Sequence, residues 1–390
     1  MNLDYSRMQS VQSPIIPIIG KLINNHPGTI SLGQGVVYYG PPPVAFDHIS
    51  EFLASPENHK YKPVIGITPL LEIIADKLQT ENHINLSDRQ KIVVTAGSNM
   101  GFMNAILAIT SPGDEIIIQS PYYFNHEMAI MMASCQPVVI QTDDNYQLRI
   151  DAIQAAITDK TRAIVTISPN NPTGAVYSPE ALQEINQICS DRHLYHISDE
   201  AYEYFTYNNI KHTSPATFPN SESHTISLFS LSKAYGFASW RIGYMLIPEH
   251  LLIPIQKVQD TILICPPVIS QYVALGALKV GYEYCQNHIK TITEVRDIFL
   301  NELSQLSDFC TIPQADGAFY FLLKIDTELD SMELAQQLIK QFGVAVIPGT
   351  TFGMSQGCYL RVAYGGVKTR HRRRRNWAFS QRSENLSYLD

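Results

Sequence analysis

No stretch of the chain approaches the ~18 uninterrupted apolar residues that a membrane-spanning helix needs, which argues against a membrane role. The opening MNLDYSRMQS carries Asp4 and one early Arg, and no apolar segment of the kind found in secretory signals follows it. The expected location is the cytoplasm. The six cysteines (Cys135, Cys189, Cys265, Cys285, Cys310, Cys358) are scattered without a CxxC pair. That pattern fits reduced thiols and predicts neither a disulfide framework nor a metal site. Positive charge is scarce outside one segment: residues 366–390 hold seven Lys and Arg against two Asp and Glu, so residues 1–365 are more acidic than the net charge of −8 suggests. An acidic body argues against nucleic acid as a partner. Residues 1–365 also lack internal repeats and low-complexity linkers, so two domains, if present, are expected to be packed rather than tethered.

What remains is an ordinary globular composition, with 45% hydrophobic, 16% charged and 10% aromatic residues. At 390 residues the chain can bury a large core and suggests two domains, or one with a smaller appendage. From about Lys91, short β-rich runs alternate with helical patterns, the rhythm of a mainly parallel sheet. The expected strands are KIVVT (91–95), EIIIQ (115–119), PVVIQ (137–141), RAIVTIS (162–168), YHISD (195–199) and TISLFS (225–230). Helices are predicted over 98–110 and 178–192, the latter with Ser178 as N-cap and Pro179 at the first helical position. After about Leu251 the texture turns long and helical. A second domain is then expected from FYFLLKI (319–325), a helix over 331–343 stopped by Gly343, VAVIP (344–348) and CYLRVAY (358–364).

The segment SLFSLSKAYGFASWRIGY (227–244) places a lysine after a β-run, among small residues, with an arginine eight positions on. A lysine amine attacks an aldehyde only when it can shed its proton, which a partly desolvated or cationic setting favours, and Lys233 suits that role. Ser230, Ser232 and Arg241 would supply donors to a phosphate ester. TAGSNMG (95–101) joins a strand to a helix, and its Gly97, Ser98 and Asn99 would offer free backbone N–H groups to an anion. ISDEAYEYF (197–205) begins where a strand should end, the place where open α/β sheets bind ligands. Each residue alone has an ordinary reading: Lys233 as a solvated loop lysine, Arg241 as a surface ion-pair partner, Asp199 as a cap, Ser98 or Asn99 as helix caps, SPNNPTGAVYS (168–178) as a turn, Tyr123 as core.

Together, Ser230, Ser232, Lys233, Gly236, Arg241 and Gly243 resemble the cofactor-lysine signature of the class I/II aminotransferases, the fold type I enzymes of pyridoxal 5'-phosphate (PLP). Further family marks follow in order from about Leu32 to Gly365. The resemblance implies an α/β, PLP-transferase fold type I architecture: a large domain with a mainly parallel seven-stranded sheet between helices, plus a smaller α+β domain. The expected division is 45–285 for the large domain and 1–44 with 286–390 for the small one. It also implies PLP as cofactor and amino-group transfer from an L-amino acid to a 2-oxo acid by a ping-pong route through a Schiff base at Lys233. Under the resemblance Asn171 and Tyr202 hydrogen-bond the ring oxygen, Asp199 pairs with the ring nitrogen, Tyr123 stacks on the ring, and Gly97, Ser98, Asn99, Ser230, Ser232 and Arg241 surround the phosphate. Arg361 matches the clamp for the substrate α-carboxylate, and Gly35 in SLGQGVVYYGPP (31–42) approaches the substrate closely. Tyr61 matches a tyrosine that reaches the neighbouring subunit's cofactor, which implies a homodimer with active sites at the interface. The rival reading is a PLP lyase or synthase of the same fold, such as a carbon–sulfur lyase or an aminocyclopropane carboxylate synthase-like enzyme. A PLP-sensing regulator would need a DNA-binding module, for which the segment before residue 32 leaves no room.

Three departures stand out. Leu71 occupies a position where a basic residue is common, and VVYY (36–39) replaces the usual proline-containing gate. After Gly365 the resemblance is expected to stop, where composition and periodicity switch together into the run Arg370 to Arg375. A change of reading frame near residue 365 is the expected cause, with loss of the last helix of the small domain and a less firmly held Arg361.

Overall fold

The computed structural model describes residues 6–367. The basic run and nearly all of the segment assigned to a frame change lie outside the described residues.

Short β-rich runs form the strands; the central ones bury both faces, as the interior of a parallel sheet requires, while the edge strand Gln136–Gln141 keeps no residue fully buried. Seven of them make one sheet, in the spatial order Gln90–Thr95, Gly243–Pro248, Thr225–Ser230, Tyr195–Asp199, Thr161–Ile167, Glu115–Ser120, Gln136–Gln141. Six are the strands expected from sequence. The seventh, Gly243–Pro248, runs antiparallel to both its neighbours, while all the remaining pairings are parallel. Side chains alternate across the sheet. Ile116 and Ile118 face a layer formed by Phe102, Ile106 and Ile130, whereas Ile117 faces Ile164, Ile185 and Cys189. Helix Pro179–Arg192 starts as predicted, with Ser178 Oγ accepting from the Ala181 N–H at 3.1 Å and Pro179 in its first turn.

The second layer is an antiparallel sheet ordered Ile347–Pro348, Cys358–Ala363, Tyr320–Ile325, Cys310–Thr311. Helix Ser331–Phe342 covers it and ends at Gly343, whose φ of +63° is the left-handed conformation that glycine adopts without strain. VAVIP divides in two: Val344–Ala345 pairs in parallel with Ile30–Ser31, and Ile347–Pro348 joins the antiparallel sheet. The predicted long helical region breaks at Gly281 into Val268–Val280 and Tyr282–Ser304. Along Tyr282–Ser304 the chain passes from one core to the other, Cys285 packing beneath the large sheet and Ile292 beneath the small one.

Helix Thr68–Thr80 carries a buried cation into the large core. Lys77 is 5% exposed, and its Nζ donates to both oxygens of Glu203 at 2.7 Å and to Asn82 Oδ1 at 2.7 Å. Glu203 adjoins Tyr202, so this pair anchors the turn that follows strand Tyr195–Asp199. Removing one member of a buried pair leaves an uncompensated charge. Lys77→Met is expected to lower stability by about 3–5 kcal/mol, read from urea denaturation midpoints.

Candidate active site

The carboxyl ends of strands Thr161–Ile167, Tyr195–Asp199 and Thr225–Ser230 open on one pocket, the position that parallel sheets offer to ligands. Its lining includes Gly35, Ser98, Asn99, Tyr123, Asn171, Asp199, Tyr202, Ser230, Ser232, Lys233, Arg241 and Arg361. Twelve of the fourteen site residues expected from sequence therefore meet at one cavity. Gly97 borders it from behind: a Cβ built there would run into the Arg241 guanidinium. Tyr61 does not reach this cavity within the subunit and stands 78% exposed.

Lys233 follows the N-cap Ser230 in a single helical turn, Leu231–Ala234, and its Nζ donates to the Gly35 carbonyl. Burial, reinforced by the nearby cations Arg361 and Arg241, pulls its pKa down from 10.5 to about 8, while Asp199 opposes the shift. Below that pH the neutral amine grows tenfold per unit; above it the fraction saturates. Capture of the cofactor aldehyde by the apoprotein is therefore expected to accelerate from pH 6 to 8 and then level off, as stopped-flow absorbance would record. An unshifted lysine would keep accelerating towards pH 10.

Asp199 is buried at the end of its strand and accepts from the Ala201 N–H at 3.1 Å. His126 Nε2 lies 3.1 Å from Asp199 Oδ2, and the His126 ring stacks on Phe102 at 3.9 Å. His126 was not among the residues singled out from sequence, although it stands three positions after Tyr123 at the start of helix Phe124–Met132. Tyr320 was missed as well. Its hydroxyl lies 2.7 Å from that of Tyr202 and blocks the space a Cβ on Gly35 would need. Asn171 Nδ2 donates to the Tyr202 hydroxyl at 3.4 Å. Desolvation raises the Tyr202 pKa well above its ordinary value, so this phenol stays protonated and can donate.

Two features test whether these donors suit PLP and an amino acid. Helix Ser98–Ile109 begins at Gly97 with no side chain capping it, leaving its first N–H groups available beside the hydroxyls of Ser98, Ser230 and Ser232 and the Arg241 guanidinium. That is a phosphate cradle in chemistry and charge. Arg361 is 2% exposed, its Nη1 donating to Asn171 Oδ1 at 2.8 Å and its Nη2 to the Gly33 carbonyl at 2.6 Å. Its Nε has no partner, and no carboxylate pairs with it among the described residues. A buried guanidinium facing only neutral acceptors suits an anionic ligand. The expected loosening of Arg361 does not appear in these contacts.

A fold of this type, with a desolvated lysine facing a carboxylate across a pocket and a phosphate cradle at one end, defines a PLP enzyme. The family model described as Aminotransferase class I and II matches residues 27–374, running past Gly365, where the resemblance was expected to stop. The chain belongs to that family and is a PLP-dependent aminotransferase. It is 31% identical over 371 residues to an aromatic aminotransferase of Arabidopsis thaliana, covering 93% of this chain and 91% of that protein. It is also 31% identical to an aspartate aminotransferase of Pyrococcus abyssi, covering 86% and 87%. Among solved structures, a Thermus thermophilus aspartate aminotransferase double mutant superposes with a TM-score of 0.89 at 27% identity, covering 98% of this chain and all of that one. No helix among the described residues is long and apolar enough to cross a membrane.

Proposed function

We propose that the enzyme moves an amino group from an L-amino acid to a 2-oxo acid by a ping-pong route in which Lys233 both holds the cofactor and transfers the proton. The observation that carries this reading is the convergence of Lys233, Asp199, Asn171, Arg241 and Arg361 on one pocket. When bound, PLP supplies an electron sink into which the Cα–H bond of the amino acid can release its electron pair. Asp199, held by the Ala201 N–H and with His126 Nε2 3.1 Å from its other oxygen, would pair with the ring nitrogen and keep it protonated. Asn171 and Tyr202 would donate to the ring oxygen, and Tyr123 would pack against the ring. Ser98, Ser230, Ser232 and Arg241, with the N–H groups after Gly97, would hold the phosphate. Arg361 would bind the α-carboxylate and so present the Cα–H bond to the Lys233 amine, which would take the proton from Cα and deliver it to the cofactor carbon C4', on the far side of the substrate nitrogen.

The domains divide at 45 and 285 on this reading, supported by the change of core between Leu32 and Ala45 and between Cys285 and Ile292. The exposed Tyr61 supports a homodimer in which it serves the partner's site, and the expected compartment is the cytoplasm. The names of the relatives divide between aromatic amino acids and aspartate, the two donor classes that come first into question. Incubating the holoenzyme with an L-amino acid and 2-oxoglutarate should yield L-glutamate and the matching 2-oxo acid in equal amounts. Release of ammonia with pyruvate in place of glutamate would favour a lyase and overturn the proposal.

A further inference from the structure

We infer that Tyr320 acts on the reaction through Tyr202: its hydroxyl donates to the Tyr202 oxygen, and so directs the Tyr202 proton towards the cofactor's ring oxygen and helps set the protonation of the lysine-bound cofactor. The inference rests on the aminotransferase reading of the same site. Tyr320 opens strand Tyr320–Ile325 of the four-stranded layer, whereas Tyr202 stands in the turn after strand Tyr195–Asp199 of the large sheet. Their hydroxyls are 2.7 Å apart, and the two residues are 1% and 5% exposed, inside a single subunit. The segment before Tyr320 is fixed on both sides, the Gly317 N–H donating to the Gly174 carbonyl and the Ala318 N–H to the Phe205 carbonyl, each at 2.8 Å. Those bonds tie it to the turn that carries Asn171 and to the turn that carries Tyr202. A Cβ on Gly174, whose φ is +77°, would run into the Tyr320 carbonyl, so glycine permits the close approach.

The direction of the protons follows from the neighbours. An arginine offers donors only, so the 2.8 Å contact from Arg361 Nη1 fixes Asn171 Oδ1 as the acceptor and leaves Nδ2 to donate to the Tyr202 hydroxyl at 3.4 Å. The Tyr202 oxygen thus accepts from Asn171 and shares one proton with Tyr320. Among the described residues the Tyr320 hydroxyl has no other hydrogen-bond partner. Once the ring oxygen takes the Tyr202 proton, the proton between the phenols has to come from Tyr320, because a buried hydroxyl with an unused donor is unfavourable. Both protons are present at working pH. Burial raises the Tyr202 pKa well above its ordinary value, and it pushes Tyr320 up to about 12 against the pull of Arg361. The groups facing the pair are Arg361, 4.7 Å from the centre of the Tyr320 ring, Lys233, 5.9 Å from that of Tyr202, and the phenol of Tyr123. A phenol that accepts a hydrogen bond becomes a stronger donor. Charge on the ring oxygen is greatest when the lysine-bound nitrogen has shed its proton, so a stronger Tyr202 donor favours that form and lowers the pH at which the proton leaves.

The test is a pH titration of the visible absorbance of the resting holoenzyme, without substrate, for the wild type, Tyr320→Phe, Tyr202→Phe and the double variant. Tyr320→Phe keeps the ring beside Arg361 and removes the hydroxyl alone, and the midpoint should rise by roughly half to one pH unit, the worth of one hydrogen bond. On the Tyr202→Phe background the same change should move the midpoint by less than about 0.2 unit, since its route is gone. An unchanged midpoint in Tyr320→Phe, or an equal rise with and without the Tyr202 hydroxyl, would overturn the inference and leave the aminotransferase reading intact. Turnover should follow the same division: kcat roughly 3- to 10-fold lower in Tyr320→Phe, with KM for an L-amino acid little changed because the Arg361 clamp is untouched. A raised KM at constant kcat would assign Tyr320 to the clamp instead and sink the inference. A ring-fluorinated tyrosine at position 320, a stronger donor of nearly the same shape, should lower the midpoint, which decides the matter even if Tyr320→Phe fails to fold; a midpoint that stays or rises would count against the inference. Absence of lysine-bound cofactor absorbance from the wild type would overturn the aminotransferase reading itself, and the inference with it.

Discussion

Lys233→Ala is expected to lose the absorbance of lysine-bound cofactor and to lower kcat by roughly 10³-fold or more, the upper part of the range for a positioned acid–base group. The fold should survive, because the amine's hydrogen bond is to one backbone carbonyl, that of Gly35, and no carboxylate depends on it. Noncovalent cofactor binding should persist through the phosphate cradle, which Lys233 does not build. Small primary amines added to the solution should restore part of the rate, in proportion to their concentration and basicity. A residue with only a structural role would show no such response, and wild-type turnover in the variant would refute the assignment.

Arg361→Lys should be nearly as damaging despite keeping the charge. The guanidinium presents parallel donors in one plane, fixed by Asn171 and the Gly33 carbonyl, and an ammonium cannot reproduce that fork. Losing one to two charge-assisted hydrogen bonds corresponds to about 10²-fold or more in kcat/KM for an amino acid. The comparison that isolates the carboxylate is L-phenylalanine against 2-phenylethylamine: the first should fall steeply in the variant while the second should barely change. Equal losses for both would show that Arg361 acts on the architecture of the pocket and not on the α-carboxylate.

Local pattern and long-range contact contributed differently to what could be read in advance. Four of the six expected strands, at 91–95, 115–119, 137–141 and 162–168, carry uninterrupted runs of Ile, Val or Ala, and YHISD and TISLFS stand out by their place between helical and turn-forming segments. Gly243–Pro248 is as apolar but follows directly on the arginine of the lysine motif. Its antiparallel insertion beside Gln90–Thr95 is a pairing between distant segments that no local pattern announces. VAVIP looks like one strand because periodicity cannot show that its two halves pair with different partners. In the pocket, residues inside dense motifs such as SPNNPTG and SLSKAYG were found. His126 and Tyr320 were not, because their partners Asp199, Tyr202 and Gly35 come from other elements. The one available signal for His126 was its position three residues beyond Tyr123, in the first turn of helix Phe124–Met132.

The pairing of Ile30–Ser31 with Val344–Ala345 continues into a bond from the Ala363 N–H to the Leu32 carbonyl at 2.7 Å, and from there to the carbonyl of Gly33 beneath Arg361. The ribbon that carries Gly35 and the strand that carries Arg361 are thus splinted together, although they stem from opposite halves of the polypeptide. Any swing of the four-stranded layer over the larger one would transport the two as a unit. Such a displacement would be felt at the 2.8 Å contact from Arg361 to Asn171, where the roof of the chamber meets its floor.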